Sequence, residues 1–127
     1  MSYYFSKTIE MPFDEAVERT VAALKQHGFG VLTRIDVKNT LKEKIGVEFR
    51  PYVILGACNP KMAHQALRAE DKIGTMLPCN VIVQELDGRI EIAAVDPVAS
   101  MQAIRNEALA SVAAKVREEL KAVIHTL

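Results

Sequence analysis

The chain has 127 residues, half of them hydrophobic and a quarter charged, which bounds it to one ordinary globular domain with a sizeable core. Sixteen Lys and Arg balance sixteen Asp and Glu, so the basic excess that phosphate contacts demand is missing and nucleic acid is excluded as a main partner. Two cysteines are too few for a disulfide framework, and no apolar run approaches the ~20 residues of a membrane span.

The opening Met1-Ser2-Tyr3-Tyr4-Phe5-Ser6-Lys7 lacks the pattern of a secretory signal, so a reducing cytosol is the expected setting, without a membrane partner. Tyr3 to Glu10 reads as a first strand, with Tyr3, Phe5 and Ile9 on one face and Lys7 as the exception. Pro12 suits the first turn of a helix whose stripe is Phe13, Val17, Val21 and Leu24, and Gly28 stops it. Phe29, Val31, Thr33 and Ile35 alternate as a second strand. Asp36 then caps a short helix carrying Val37, Leu41 and Ile45, ended by Gly46.

Val47 to Phe49 leads into Tyr52-Val53-Ile54-Leu55-Gly56-Ala57-Cys58, a run apolar on both faces, which predicts a central strand covered on two sides. Asn59 and Pro60 read as the cap and first position of a helix with a narrow face of Met62, Ala63, Ala66 and Leu67. A looser stretch, Ala69 to Pro78, returns the chain to the sheet. Cys79 to Leu86 and Arg89 to Val95 are two strands joined by Asp87-Gly88, a strong hairpin signal. Asp96-Pro97 closes the last strand. The remainder is helical, its stripe Met101, Ile104, Ala108, Val112, Val116, Leu120, Val123 and Leu127, and Asn106-Glu107 can restart the helix after a short turn. No linker or repeat divides the chain, so residues 1–127 form a single α+β domain.

The string Glu48-Phe49-Arg50-Pro51-Tyr52-Val53-Ile54-Leu55-Gly56-Ala57-Cys58-Asn59-Pro60 resembles the signature of the bacterial family called domain of unknown function 302. Gly28-Phe29-Gly30-Val31-Leu32-Thr33, Leu77-Pro78-Cys79-Asn80-Val81 and the closing Asp96-Pro97 with its long helix fit the same family. The resemblance implies an antiparallel sheet with helices packed on it, in the order β-α-β(4)-α, similar to the TATA-binding-protein fold, with short extra helices between strands. It also implies a homodimer. No activity is established for that family, so the resemblance carries over no catalytic residue and names no cofactor.

Chain direction places the chemistry. In an antiparallel meander the end of the Tyr52–Cys58 strand, the start of the Cys79 strand and the end of the Arg89–Val95 strand share one sheet edge. Cys58, Cys79 and Asp96 therefore meet there, beside the N-terminus of the helix begun at Pro60. A thiol at a helix N-terminus is favoured as thiolate, so Cys58 is the candidate reactive or metal-binding group and Cys79 its resolving partner or second ligand. Asn59 and Asn80 can donate hydrogen bonds, and His64, five residues beyond the cap, completes the candidate metal set with Cys58 and Cys79. The plainer alternative is that both cysteines are core residues at strand ends, since free cysteine is among the most buried residue types.

Gly-rich phosphate loops, a GxSxG elbow and an HExxH helix are all absent from the sequence. Three readings follow. One is a small homodimeric binding module holding a small ligand or metal between Cys58 and Cys79. Another is a thiol-dependent enzyme or redox protein using Cys58. The last is a structural module that binds protein through a sheet edge or the shoulder of Ala110, Ala113 and Ala114.

Overall fold

The computed structural model describes residues 2–127. In chain order the elements are β1 (Tyr4–Ile9), α1 (Phe13–Gln26), β2 (Gly30–Asp36), α2 (Val37–Ile45) and β3 (Tyr52–Cys58), then α3 (Pro60–Ala69), β4 (Cys79–Leu86), β5 (Arg89–Val95), α4 (Pro97–Ser100) and α5 (Glu107–Thr126). A 3-10 turn, Asp71–Met76, follows α3. The five strands form one antiparallel sheet in the order β1-β5-β4-β3-β2, so the protein is α+β with β4 in the middle. Among the described residues no helix is long and apolar enough to cross a membrane.

Local chemistry sets the boundaries. Asp87 and Gly88 both take positive φ, 53° and 76°, as a two-residue primed hairpin turn requires. At the end of α1, Gly28 turns the chain at φ 84°, and the Phe29 N–H returns to the Leu24 carbonyl at 2.9 Å. Asn106 starts α5 by accepting the Leu109 N–H at 3.1 Å, and its amide nitrogen donates to the Ala69 carbonyl at 2.7 Å, tying that start to the end of α3.

Period-two alternation gives the sheet two unlike faces. One row of the inner face runs Leu55, Val81, Ala94, Phe5 across four strands, and the next holds Val53, Val83 and Ile92. On this face α1 contributes Val17 and Leu24, and α5 contributes Val116, Leu120 and Val123. Lys7 also lies on the inner face, where its ammonium meets the carbonyls of His125 (3.2 Å) and Leu127 at the C-terminal end of α5. That end of a helix presents unpaired carbonyls and negative partial charge, so a lysine belongs there.

A second, smaller cluster unites Ala66, Ile73, Met101, Leu109 and Ala113. The apolar stripe of α5 thus serves both clusters. Arg117 marks the crossing, its Nε donating to Asp96 Oδ2 at 3.2 Å at the end of β5.

Several sequence expectations are corrected. The run in β3 is not covered on two sides: α1 and α5 pack on one face, and Ile54 on the other face stays partly exposed. Tyr3, expected with Phe5 and Ile9, is 70% exposed. Residues 47–49 do not extend β3, because Pro51, which lacks an N–H, stands immediately before its start. In α5 the buried position is Leu109 and not Ala108, because at about 100° per residue Leu109 falls within about 20° of the buried Val116 and Ala108 about 80° away from it. The helix α2 forms as expected yet buries no residue; its Asp36 cap, accepting the Asn39 N–H at 3.0 Å, and the left-handed Gly46 hold its ends.

Gly56 supplies a sharp test of this packing. A Cβ there would press on Thr33 Oγ1 and come within 2.7 Å of the Pro78 ring. Thr33 can rotate, but the proline ring cannot retreat without moving the start of β4. Gly56→Ala is expected to lower stability by about 1–3 kcal/mol, the usual cost of overpacking, read from the urea midpoint at unchanged m-value.

Candidate functional site

The seam between the two apolar clusters holds a cavity of about 360 Å³. Its floor is the end of the sheet, with Phe29, Ala57, Cys58 and Cys79. Met62, Ala63 and Ala66 of α3 form one wall, and Leu109, Val112, Ala113 and Val116 of α5 form the opposite one. Leu77, Pro78 and Met101 close the far side. Leu32 and Leu67, 67% and 44% exposed, belong to the lining and stand at its rim.

Strand parity and strand ending together place the thiols. Ala57 pairs with Cys79, so both side chains face inward. Cys58 is the last residue of β3, where the chain leaves the sheet for α3, and its half-buried side chain also reaches the cavity wall. Cys79 is buried, and its pKa is pushed up from 9.0 to about 11, first by burial and second by the neighbouring Cys58. It is therefore a neutral thiol at physiological pH. Both cysteines are free.

Asn59 is a wall-builder. Its Oδ1 accepts the Met62 N–H at 3.2 Å, capping α3. Its Nδ2 lies 3.2 Å from where a Cβ of Gly28 would be, so the end of α1 and the start of α3 press directly together.

The remaining sequence candidates lie elsewhere. Asp96 is only 8% exposed and is absent from the cavity lining. Its carboxylate caps α4 by accepting the Val98 N–H at 3.0 Å and pairs with Arg117, whose guanidinium sits 5.2 Å from the Phe5 ring centre. Asn80 follows the inward Cys79 and so projects from the opposite face, into a shallow depression with Tyr4, Gln84 and Glu91. His64 is exposed on α3, because Met62, Ala63 and Ala66 define the inward side and two residues past Met62 is more than half a helical turn away. The set Cys58, Cys79 and His64 is therefore not assembled, and no group of three or more His, Cys, Asp or Glu among the described residues is placed to hold a metal.

Sequence reasoning missed the α5 wall and Phe29, which read only as core. At the end of α1, His27 places its Nδ1 3.2 Å from Glu119 Oε2, joining α1 to α5.

Known proteins frame this geometry. The profile described as "Domain of unknown function DUF302" matches residues 5–127. A crystal structure of an uncharacterized conserved DUF302 protein from Bacillus stearothermophilus is similar at 32% identity, with a TM-score of 0.92 and 98% of each chain covered. No curated protein matches the chain.

The Cys79 thiol yields a pH prediction with a definite sign. Its folded pKa lies above its unfolded one, so its contribution to stability is complete below pH 9.0 and is lost as pH rises through about 11. In urea unfolding, the stability of the native chain relative to Cys79→Ala is expected to fall by about 2–3 kcal/mol across that window. A constant difference from neutral pH upward would refute the buried neutral thiol.

Proposed function

We propose that this chain, which belongs to the DUF302 family of unknown function, is a binding module for a small, largely apolar molecule seated between Cys58, Cys79, α3 and α5. One observation carries the reading: where the two apolar clusters meet, the interior stays open as a cavity of about 360 Å³, within the ~300–1,000 Å³ typical of small-molecule sites. The walls are apolar, and Asn59 spends its oxygen on the helix cap, so polar recognition falls to the two thiols and the Asn59 side-chain amide nitrogen. The fitting ligand is an aromatic or branched aliphatic body with few polar atoms and one acceptor that an S–H can meet. Met62 and Met101 provide walls that can re-pack around it.

The setting we propose is the reducing cytosol, in which both thiols stay free. The β-α-β(4)-α order supports a relation to the TATA-binding-protein fold at the level of architecture, without its nucleic-acid binding, since the net charge is zero.

Native mass spectrometry of protein purified without oxidant or chelator, followed by titration with an environment-sensitive naphthalene dye, tests the reading. Expected is one saturable dye site, weakened roughly tenfold or more by Ala63→Phe, which fills the cavity from its half-exposed wall. A bare chain that takes up no dye would end the proposal.

A thiol-dependent activity is the second reading, favoured by the partial exposure of Cys58 on the cavity wall beside a protonated neighbour. Iodoacetamide at neutral pH is expected to alkylate Cys58 in the folded protein and Cys79 only after unfolding, with bound dye slowing the first reaction. Should Cys58 also resist until the chain unfolds, thiol chemistry is ruled out.

A further inference from the structure

Apolar space continues beyond the far side of the cavity. Behind Met101 lies a second hollow of about 180 Å³, lined also by Val98, Ile104 and Ala110. Met101, Leu109 and Ala113 border both spaces, so these three side chains stand between them. The pitch of α5 accounts for the arrangement. At about 100° per residue, Val112 and Val116 face the main cavity, Ala110 faces the second hollow, and Leu109 and Ala113 fall between. Among the described residues the lining of the second hollow is apolar apart from the exposed Gln102.

The partition is unevenly built. Leu109 and Ala113, 2% and 4% exposed, are fixed in place by the backbone of α5. Met101 comes from the turn after α4, and its backbone is pinned. Its N–H donates to the Pro97 carbonyl at 3.0 Å, and its carbonyl accepts the Ile104 N–H at 3.0 Å. Its side chain is unbranched with three rotatable bonds, the type that changes rotamer to suit what lies beside it. Met101 is thus the movable member of an otherwise fixed wall.

We infer that the ligand of this site carries an unbranched alkyl tail, which passes Met101 from the main cavity into the second hollow. The tail belongs to the ligand proposed above and so depends on that reading. It adds a shape: a compact body lies over the thiols, and a linear chain leads from it. Such a chain is about as wide as the methionine side chain it displaces, so the movement of Met101 alone opens the way. A branched or ring-bearing tail also requires Leu109 or Ala113 to retreat, and the helix backbone holds both. Val98, 42% exposed, belongs to the outer hollow, so an entering tail removes apolar wall and alkyl carbon from water together.

Displacement of the naphthalene dye by para-alkylphenols, with unbranched tails from ethyl to octyl, tests this shape. Their ring suits the main cavity, the phenol oxygen can accept from an S–H, and the para tail leads away from it. In the native chain each methylene beyond butyl is expected to tighten binding about threefold to fourfold, the gain from burying one CH₂. Ala110→Phe fills the second hollow from an exposed helix position, and Met101→Phe sets a rigid ring in the partition. Both variants are expected to bind the dye and the ethyl compound within about twofold of native, and to flatten the series beyond butyl. Retained dye binding shows that a variant folds, and the exposed position of Ala110 secures one variant if the other does not. A native series that is flat beyond butyl, or one that stays equally steep in Ala110→Phe, would overturn the tail while a saturable dye site leaves the cavity reading standing. Absence of any dye site would end both.

Discussion

Twenty residues of α5 rise about 30 Å, whereas strands of six to eight residues reach about 20–27 Å, so the apolar stripe of the helix outruns the sheet beneath it. Val116, Leu120, Val123 and Ile124 find strands to pack on, while Leu109 and Ala113 do not. The chain resolves this by building a second support from α3, the 3-10 turn and Met101. Two supports of different shape meet imperfectly under one straight helix, and the cavity is the space left where they join. The Arg117–Asp96 contact stands at the sheet edge, where the helix passes from one support to the other.

The same frame decides which polar groups are structural. Asp96 is nearly buried beside a guanidinium and caps α4, and removing such a cap typically costs about 0.5–2 kcal/mol. Exposed pairs such as Arg34 with Glu18, 3.0 Å apart, contribute at most about 1 kcal/mol each. Apolar burial on the inner face outweighs both, at ~1.5–3 kcal/mol for each fully buried Leu, Ile or Val. The fold therefore rests on the inner face, and the cavity can stay open because no other part of the core depends on its being filled.

Much of the architecture was legible because its signals are local. The Asp87-Gly88 turn, the Asn59 cap, the helix restart at Asn106 and the Gly28 stop each act within a few residues, and each is present. The gathering of Cys58, Cys79 and Asp96 at one sheet edge was legible for a different reason, since antiparallel direction alone requires it. Which way each side chain points at that edge was only partly used. The period of two separates Asn80 from Cys79, and helical spacing turns His64 away from Met62, so both signals were in the sequence. The Asp96 partner, twenty-one residues away on α5, and the α5 wall of the cavity were not legible, because both depend on where a helix crosses a sheet. The two-sided cover expected for β3 failed because an apolar run reports how much surface is hydrophobic, not what covers it.

Between β3 and β4 the chain spends residues 59–78 on an excursion, although neighbouring antiparallel strands can be joined by two. The strand pairs on either side, from Tyr52 with Gln84 to Ala57 with Cys79, are registered without its help. Relatives or designed variants can therefore lengthen, shorten or exchange this excursion while the sheet, α1 and the lower half of α5 keep their places. The molecule then behaves as a fixed chassis with one replaceable part, and changes of binding preference would be written into those twenty residues before anywhere else.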